Sequence, residues 1–150
     1  MALLLFGLFA ICILAVLLTG ADVYQKLTVR DRMTYEIRTA AQYLTTKVRQ
    51  ADAEGRVEAG ELDGLEALMI SETIDGTVYR TWIYCFDGYI RELFAAIDSE
   101  LTADAGEKIL ETEKLRVWQE NTAICAEITA LDGSKQQILL YPRSGREVIR

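Results

Sequence analysis

The sequence contains no histidine, one proline and three cysteines in 150 residues. Without histidine the chain has no Ser-His-Asp or Cys-His nucleophile, no HExxH zinc helix and no imidazole base near neutral pH. It also lacks the GxxxxGK and GxGxxG loops that hold phosphate groups. We therefore expect no enzymatic activity, no cofactor, no metal site and no small-molecule substrate.

Charge is absent from the first 21 residues and unevenly divided over the rest. All 16 basic and 23 acidic residues follow Ala21. Residues 22–50 carry six basic and three acidic side chains, whereas residues 51–150 carry ten basic and twenty acidic ones. We call residues 22–50 the basic neck and residues 51–150 the acidic head. Because an acidic head repels phosphate groups, nucleic acid is not an expected partner.

The first segment, MALLLFGLFAICILAVLLTGA at residues 1–21, is long enough to cross a membrane. At about 1.5 Å per residue, a helix of this length spans about 30 Å, the thickness of a hydrocarbon core. A cleaved signal peptide is the alternative, but it needs a basic start and a shorter apolar stretch. The sequence favours an uncleaved transmembrane segment, with the lipid bilayer as its first partner.

An apolar stripe with helical spacing follows the transmembrane segment. No proline or glycine occurs between Ala21 and Gly55, so the helix is predicted to continue over residues 22–55 and to end at a left-handed cap at Gly55. Its stripe is a candidate surface for packing against other helices. It consists of Val23, Leu27, Met33, Ile37, Ala41, Leu44 and Val48.

After Gly55 the apolar pattern changes to that of β-strands. Asp75-Gly76, Asp87-Gly88 and Asp132-Gly133 each separate two β-rich runs, which is a strong hairpin signal because type I′ turns need positive φ at both central residues. Residues 56–150 are therefore predicted to form an antiparallel meander of about six strands, with one or two helical turns within residues 101–110. The predicted fold class is α+β, a long N-terminal helix packed on this sheet.

The Asp87-Gly88 turn fixes which side chains share a face of the sheet. Trp82, Tyr84 and Arg91 fall on one face, and they either cover the sheet beneath the 101–110 connection or form an exposed patch for a partner. The other face is aliphatic and is the better candidate to pack against the stripe from Ile37 to Val48. It contains Leu68, Ile70, Ile83, Cys85, Ile90 and Phe94.

The whole chain, residues 1–150, resembles type IV pilins and pseudopilins in its architecture. In these proteins the first half of a long helix lies in the membrane and the second half packs on a small antiparallel sheet. The stretches TAAQYLTTKVRQAD at residues 39–52 and WIYCFDGYIRELF at residues 82–94 look like a small family of uncharacterised single-pass bacterial proteins. That resemblance implies assembly with other pilin-like subunits or assembly-platform proteins. One departure is Leu5, which stands where pilins usually have glutamate if Met1 is counted as the first mature residue. The resemblance then implies an accessory subunit or an anchor outside any filament.

The resemblance implies a minor subunit of a type IV pilus, competence or type II-like secretion assembly, in the cell membrane with its head extracytoplasmic. The basic residues after the span favour the opposite orientation, and we follow the resemblance. The alternative is a monomeric membrane-tethered binding or sensing module that uses the Trp82, Tyr84 and Arg91 face. In an oxidising compartment Cys85 and Cys125 can also pair as a disulfide.

Overall fold

The structure is a computed structural model that describes residues 1–51 and 56–141, except for the side chains of residues 22, 26–34 and 56. It divides into two compact units, Met1–Tyr35 and Glu36–Arg150. Helix α1 spans Ala2–Ala51 and contributes residues to both. The predicted cap at Gly55 lies outside the described residues. The predicted divisions at residues 21 and 55 stay predictions.

The described part of the head contains eight antiparallel strands, two more than the sequence predicted, arranged in two sheets. The strands are β1 (Arg56–Leu62), β2 (Leu65–Ile74), β3 (Thr77–Phe86), β4 (Tyr89–Ala96), β5 (Glu107–Glu111), β6 (Lys114–Glu120), β7 (Ala123–Thr129) and β8 (Lys135–Leu140). The first five form one sheet in sequence order, and the last three form the other. The predicted α+β class is confirmed.

Asp-Gly turns join the first four strands of the first sheet. In Asp75-Gly76 and Asp87-Gly88 both residues have positive φ, as a type I′ turn requires. The pairing of Tyr84 with Arg91 and of Trp82 with Leu93 confirms the predicted register of the second hairpin.

The third predicted turn is different, because Thr129 pairs with Lys135 across a five-residue loop that contains Asp132-Gly133. A two-residue turn at Asp132-Gly133 would place Leu140 opposite Cys125. The longer loop moves the β7–β8 register by one residue, so Leu139 stands there instead.

One hydrophobic core joins the end of α1 to both sheets. Helix residues three or four positions apart face the sheets, so one stripe of the helix is buried. The aliphatic face of the first sheet packs against this stripe as predicted, with Leu68, Ile70, Ile83 and Ile90 buried and Cys85 at the edge. Glu66 of β2 ties the sheets together, since its Oε2 accepts a hydrogen bond of 2.9 Å from the backbone N–H of Val117 in β6.

Candidate functional surfaces

The predicted helix-packing stripe is divided between two environments. Ile37, Ala41, Leu44 and Val48 are buried in the core of the head. Their assignment to contacts between subunits is therefore corrected, because the sheets of the same chain already cover them. Val23 is 52% exposed and stays available for such contacts. The side chains of Leu27 and Met33 lie outside the described residues.

A polar contact at the edge of the core fixes the helix on the sheet. Glu92 of β4 accepts hydrogen bonds from the Tyr43 hydroxyl and, at 2.6 Å, from Lys47 Nζ. Burial, and then the neighbouring Glu92 carboxylate, raise the pKa of the Tyr43 phenol. Tyr43 is therefore a neutral hydrogen-bond donor, and the charge of Lys47 is balanced within its own chain. This cluster has a structural role.

The aromatic face proposed for a partner is covered. Trp82, Tyr84 and Arg91 are only 8%, 0% and 7% exposed. A second hydrophobic cluster forms there, in which Ala103 and Leu101 of the β4–β5 connection pack over the aromatic rings. The expectation of an exposed patch is therefore wrong, and the alternative prediction, that these side chains lie beneath the connection, is confirmed.

Arg91 holds this connection with its guanidinium group. Nη1 donates hydrogen bonds to the carbonyl oxygens of Asp104 (2.8 Å) and Gly106 (3.2 Å). The Tyr84 hydroxyl donates to the carbonyl of Ala103 at 2.7 Å. The backbone approaches so closely here that a Cβ at residue 106 would collide with the Tyr84 hydroxyl, which explains the glycine. Burial raises the pKa of Tyr84, which keeps the hydroxyl protonated as a donor.

A groove of about 480 Å³ lies between the turns of the first sheet and the start of β6. Two of its polar side chains are already engaged: Glu66 bonds to β6 as described, and Cys85 Sγ lies 3.7 Å from the carbonyl oxygen of Glu113. Burial raises the pKa of the Cys85 thiol, so it is protonated at neutral pH. A protonated thiol is a poor nucleophile, and the groove offers no activated group.

Cys85 and Cys125 are free thiols in this structure, so the predicted disulfide is not formed. Cys125 lies opposite Trp118 and Leu139, on the face of the second sheet away from core residues such as Ile124. Burial and the nearby Glu120 carboxylate raise its pKa. Strand alternation thus directs the Cys125 side chain away from the core. Cys85 lies at the edge of that core, so the two thiols are on different faces. Cys12 is exposed within the apolar segment.

Among the described residues, no group of three or more Cys, Asp or Glu side chains is arranged to hold a metal ion. Every buried side-chain nitrogen or oxygen there has a hydrogen-bond partner. The polar groups inside this part of the head therefore bond to one another.

Phe94, predicted to pack against the helix with the rest of the aliphatic face, instead lies on an exposed surface. At the Asp75-Gly76 end of the first sheet, Ile74 is 43% exposed and Phe94 is 49% exposed. The Phe94 ring stacks on Tyr79, with centroids 5.3 Å apart and planes 12° apart. We call Ile74, Tyr79 and Phe94 the end patch. In the sequence, this patch could have been found from the lengths of its strands: β2 and β3 have ten residues each, whereas the neighbouring β4 has eight.

The N-terminal unit offers a different kind of surface. Within Ala2–Gln25 of α1, an 18-residue stretch has a mean hydropathy of 2.9, and none of that stretch is buried by the described part of the chain. By length and composition it is able to cross a membrane, and a signal sequence passes the same test.

Residues 35–131 match the protein family described as Domain of unknown function (DUF4860). No curated protein and no solved structure matches the chain. The match begins at Tyr35, one residue before the head unit, and ends within the β7–β8 loop, so it includes the whole second cluster and every buried residue of the first cluster except Leu140. Since it covers well over half of the sequence, the chain belongs to the DUF4860 family.

Proposed function

We propose that this protein is a membrane-anchored, pilin-like accessory subunit, of the minor pseudopilin kind, in a type IV pilus, competence or type II-like secretion assembly. One observation carries the proposal: α1 supplies both an uncovered apolar segment, Ala2–Gln25, and the stripe that completes the core of the head. A head built around its own anchor helix suits a subunit that is held in a membrane and then joined to neighbours.

The chemistry of the head supports a role in assembly. Its buried polar side chains Arg91 and Tyr84, and the part-exposed Glu66, all bond to other parts of the same chain. The proposed partners are the lipid bilayer, other pilin-like subunits and the proteins of an assembly platform. The proposed location is the cell membrane, crossed once, with the head extracytoplasmic.

Cysteine labelling tests the location. Ser99 is exposed just after β4. A full-length chain with Cys12, Cys85 and Cys125 replaced by alanine and carrying Ser99→Cys should react equally with a membrane-impermeant maleimide on intact and on lysed cells. The same chain without Ser99→Cys is the control for background labelling. Labelling only after lysis would place the head in the cytoplasm and contradict the proposed location.

Substitution of Val23 tests assembly. Val23 belongs to the predicted packing stripe and is not buried by the head. In membranes of the native host, extracted with mild detergent, we expect the wild-type chain to migrate as a complex and Val23→Asp to migrate mainly as a monomer. A buried charge without a partner opposes helix packing. Val23→Leu, which keeps an apolar side chain, should retain the complex.

Tryptophan fluorescence of Trp82 and Trp118 checks that the head of each Val23 variant is folded. A monomeric wild-type chain, or a Val23→Asp chain that retains the full complex, would overturn the assembly proposal. The first of these results would favour a monomeric tethered module.

A further inference from the structure

The end patch lies on a sheet face that already binds a helix. In the strand register, Tyr79 stands opposite Glu72, and Phe94 stands opposite Thr81. Side chains alternate along a strand, so Ile74, Tyr79 and Phe94 share the face of Leu68, Ile83 and Ile90. Those three residues pack in the same core as α1. The patch is therefore an exposed continuation of a helix-binding surface.

Acidic side chains surround this patch. Glu72 lies beside Tyr79, Asp75 is in the turn, and Asp98 follows β4. In the part of the chain that the structure describes, these three carboxylates form no ion pair. Arg80, the nearest cation along the strand, lies on the opposite face and is paired with Glu58 at 3.6 Å. The patch thus combines an apolar centre with an acidic rim formed by these three carboxylates.

A partner for this surface needs apolar and basic side chains interleaved on a helix. The chain itself carries such a segment at residues 23–34, where apolar Val23 and Leu27 and basic Lys26 and Arg30 stand three or four positions apart in the sequence. Residues three or four positions apart are neighbours on a helix surface. Opposite charges then select the partner and guide its approach, while the apolar centre supplies buried area.

We propose that the end patch binds the basic helical segment, residues 23–34, of a second copy of this chain. The inference rests on the proposed function, because it names one contact through which the subunit would join its neighbours. It assigns the acidic rim of one head and the basic neck of the adjacent copy to the same interface.

Disulfide crosslinking in membranes tests this contact. Thr77 is exposed and pairs with Ile74, so it reports on the patch without altering it. Two differently tagged, full-length chains lacking native cysteines are co-expressed, one with Thr77→Cys and the other with Leu27→Cys. We expect a mixed dimer after mild oxidation. Gln137→Cys, exposed on β8 of the other sheet, replaces Thr77→Cys in the control pair and should crosslink several-fold less.

Charge exchange makes the test specific. Glu72→Lys together with Asp98→Lys should lower the Thr77–Leu27 crosslink by about fivefold or more, since like charges then meet across the contact. Adding Lys26→Glu and Arg30→Glu to the other chain should restore it. Tryptophan fluorescence verifies that the reversed head is folded.

The outcomes separate the contact from the proposed function. If the wild-type complex persists in detergent but the Thr77–Leu27 crosslink does not form, or does not respond to charge exchange, the inference is wrong and the assembly proposal stands. If the wild-type chain is monomeric, both are wrong. Loss and recovery of the crosslink with charge would support the inference.

Discussion

Leu44→Ala is expected to lower the free energy of unfolding of the head by about 2–5 kcal/mol, the usual cost of removing a buried leucine side chain. Leu44 is fully buried where α1 meets both sheets. Such a loss is a large part of the total stability of an ordinary domain, about 5–15 kcal/mol. Denaturation of the full chain in mild detergent, followed by the fluorescence of Trp82 and Trp118, measures the change.

Gln42→Ala is the matched control, since Gln42 is exposed two positions earlier on the same helix. We expect it to change the free energy of unfolding by less than about 0.5 kcal/mol. If Leu44→Ala were as mild as this control, the head would fold without α1, and the helix would be free to pack elsewhere. Ile37 is buried in the same core as Leu44. Ile37→Asp would therefore unfold the head and could not serve as a test of assembly.

The parts of the fold predicted from sequence are those set by local chemistry. The helical spacing from Ile37 to Val48 and the Asp75-Gly76 and Asp87-Gly88 turns each determine a structure within a few residues. A two-residue turn also fixes the register, so the two faces of β3 and β4 followed directly.

The two missed strands depend on contacts that the local pattern does not contain. β1 is followed by Asp63-Gly64, the same turn signal as elsewhere, but its Ala59 and Gly60 have low strand propensity. Met69 of the neighbouring strand covers Gly60, where a Cβ would collide with it. β5 was expected to be partly helical, and pairing with β4 makes it a strand. Sheet pairing thus overrode weak local preferences.

The candidate surfaces were less predictable, because alternation shows which side chains share a face but not what covers that face. The β4–β5 connection lies over Trp82, whereas Phe94 stacks on Tyr79 and stays 49% exposed. Arg91 is charged, and charged residues are rarely buried without a partner. Its partners include the backbone carbonyls of residues 104 and 106, which no sequence pattern identifies.

Arg91→Met should therefore destabilise the head by about 2–4 kcal/mol, because it leaves two carbonyl oxygens without their charged donor. The Asp104 and Gly106 carbonyls bond to Nη1, and Asp87 lies 3.8 Å from Nη2. The effect should be concentrated in the connection between β4 and β5. Hydrogen exchange of peptides within residues 97–110 should accelerate by at least tenfold, whereas exchange in β7 should change much less.

Arg80→Met is the matched control for the effect of burial. Arg80 lies on the same sheet face as Arg91, but its ion pair with Glu58 is part-exposed. Its loss should cost no more than about 1 kcal/mol. Arg91→Lys should fall between the two, because an ammonium group lacks the planar fork that places Nη1 between two carbonyls. If Arg91→Met left the free energy of unfolding and the hydrogen exchange unchanged but abolished binding of a partner, Arg91 would be a recognition residue. Equal destabilisation by Arg80→Met and Arg91→Met would contradict the argument that Arg91 fixes the connection from a buried position.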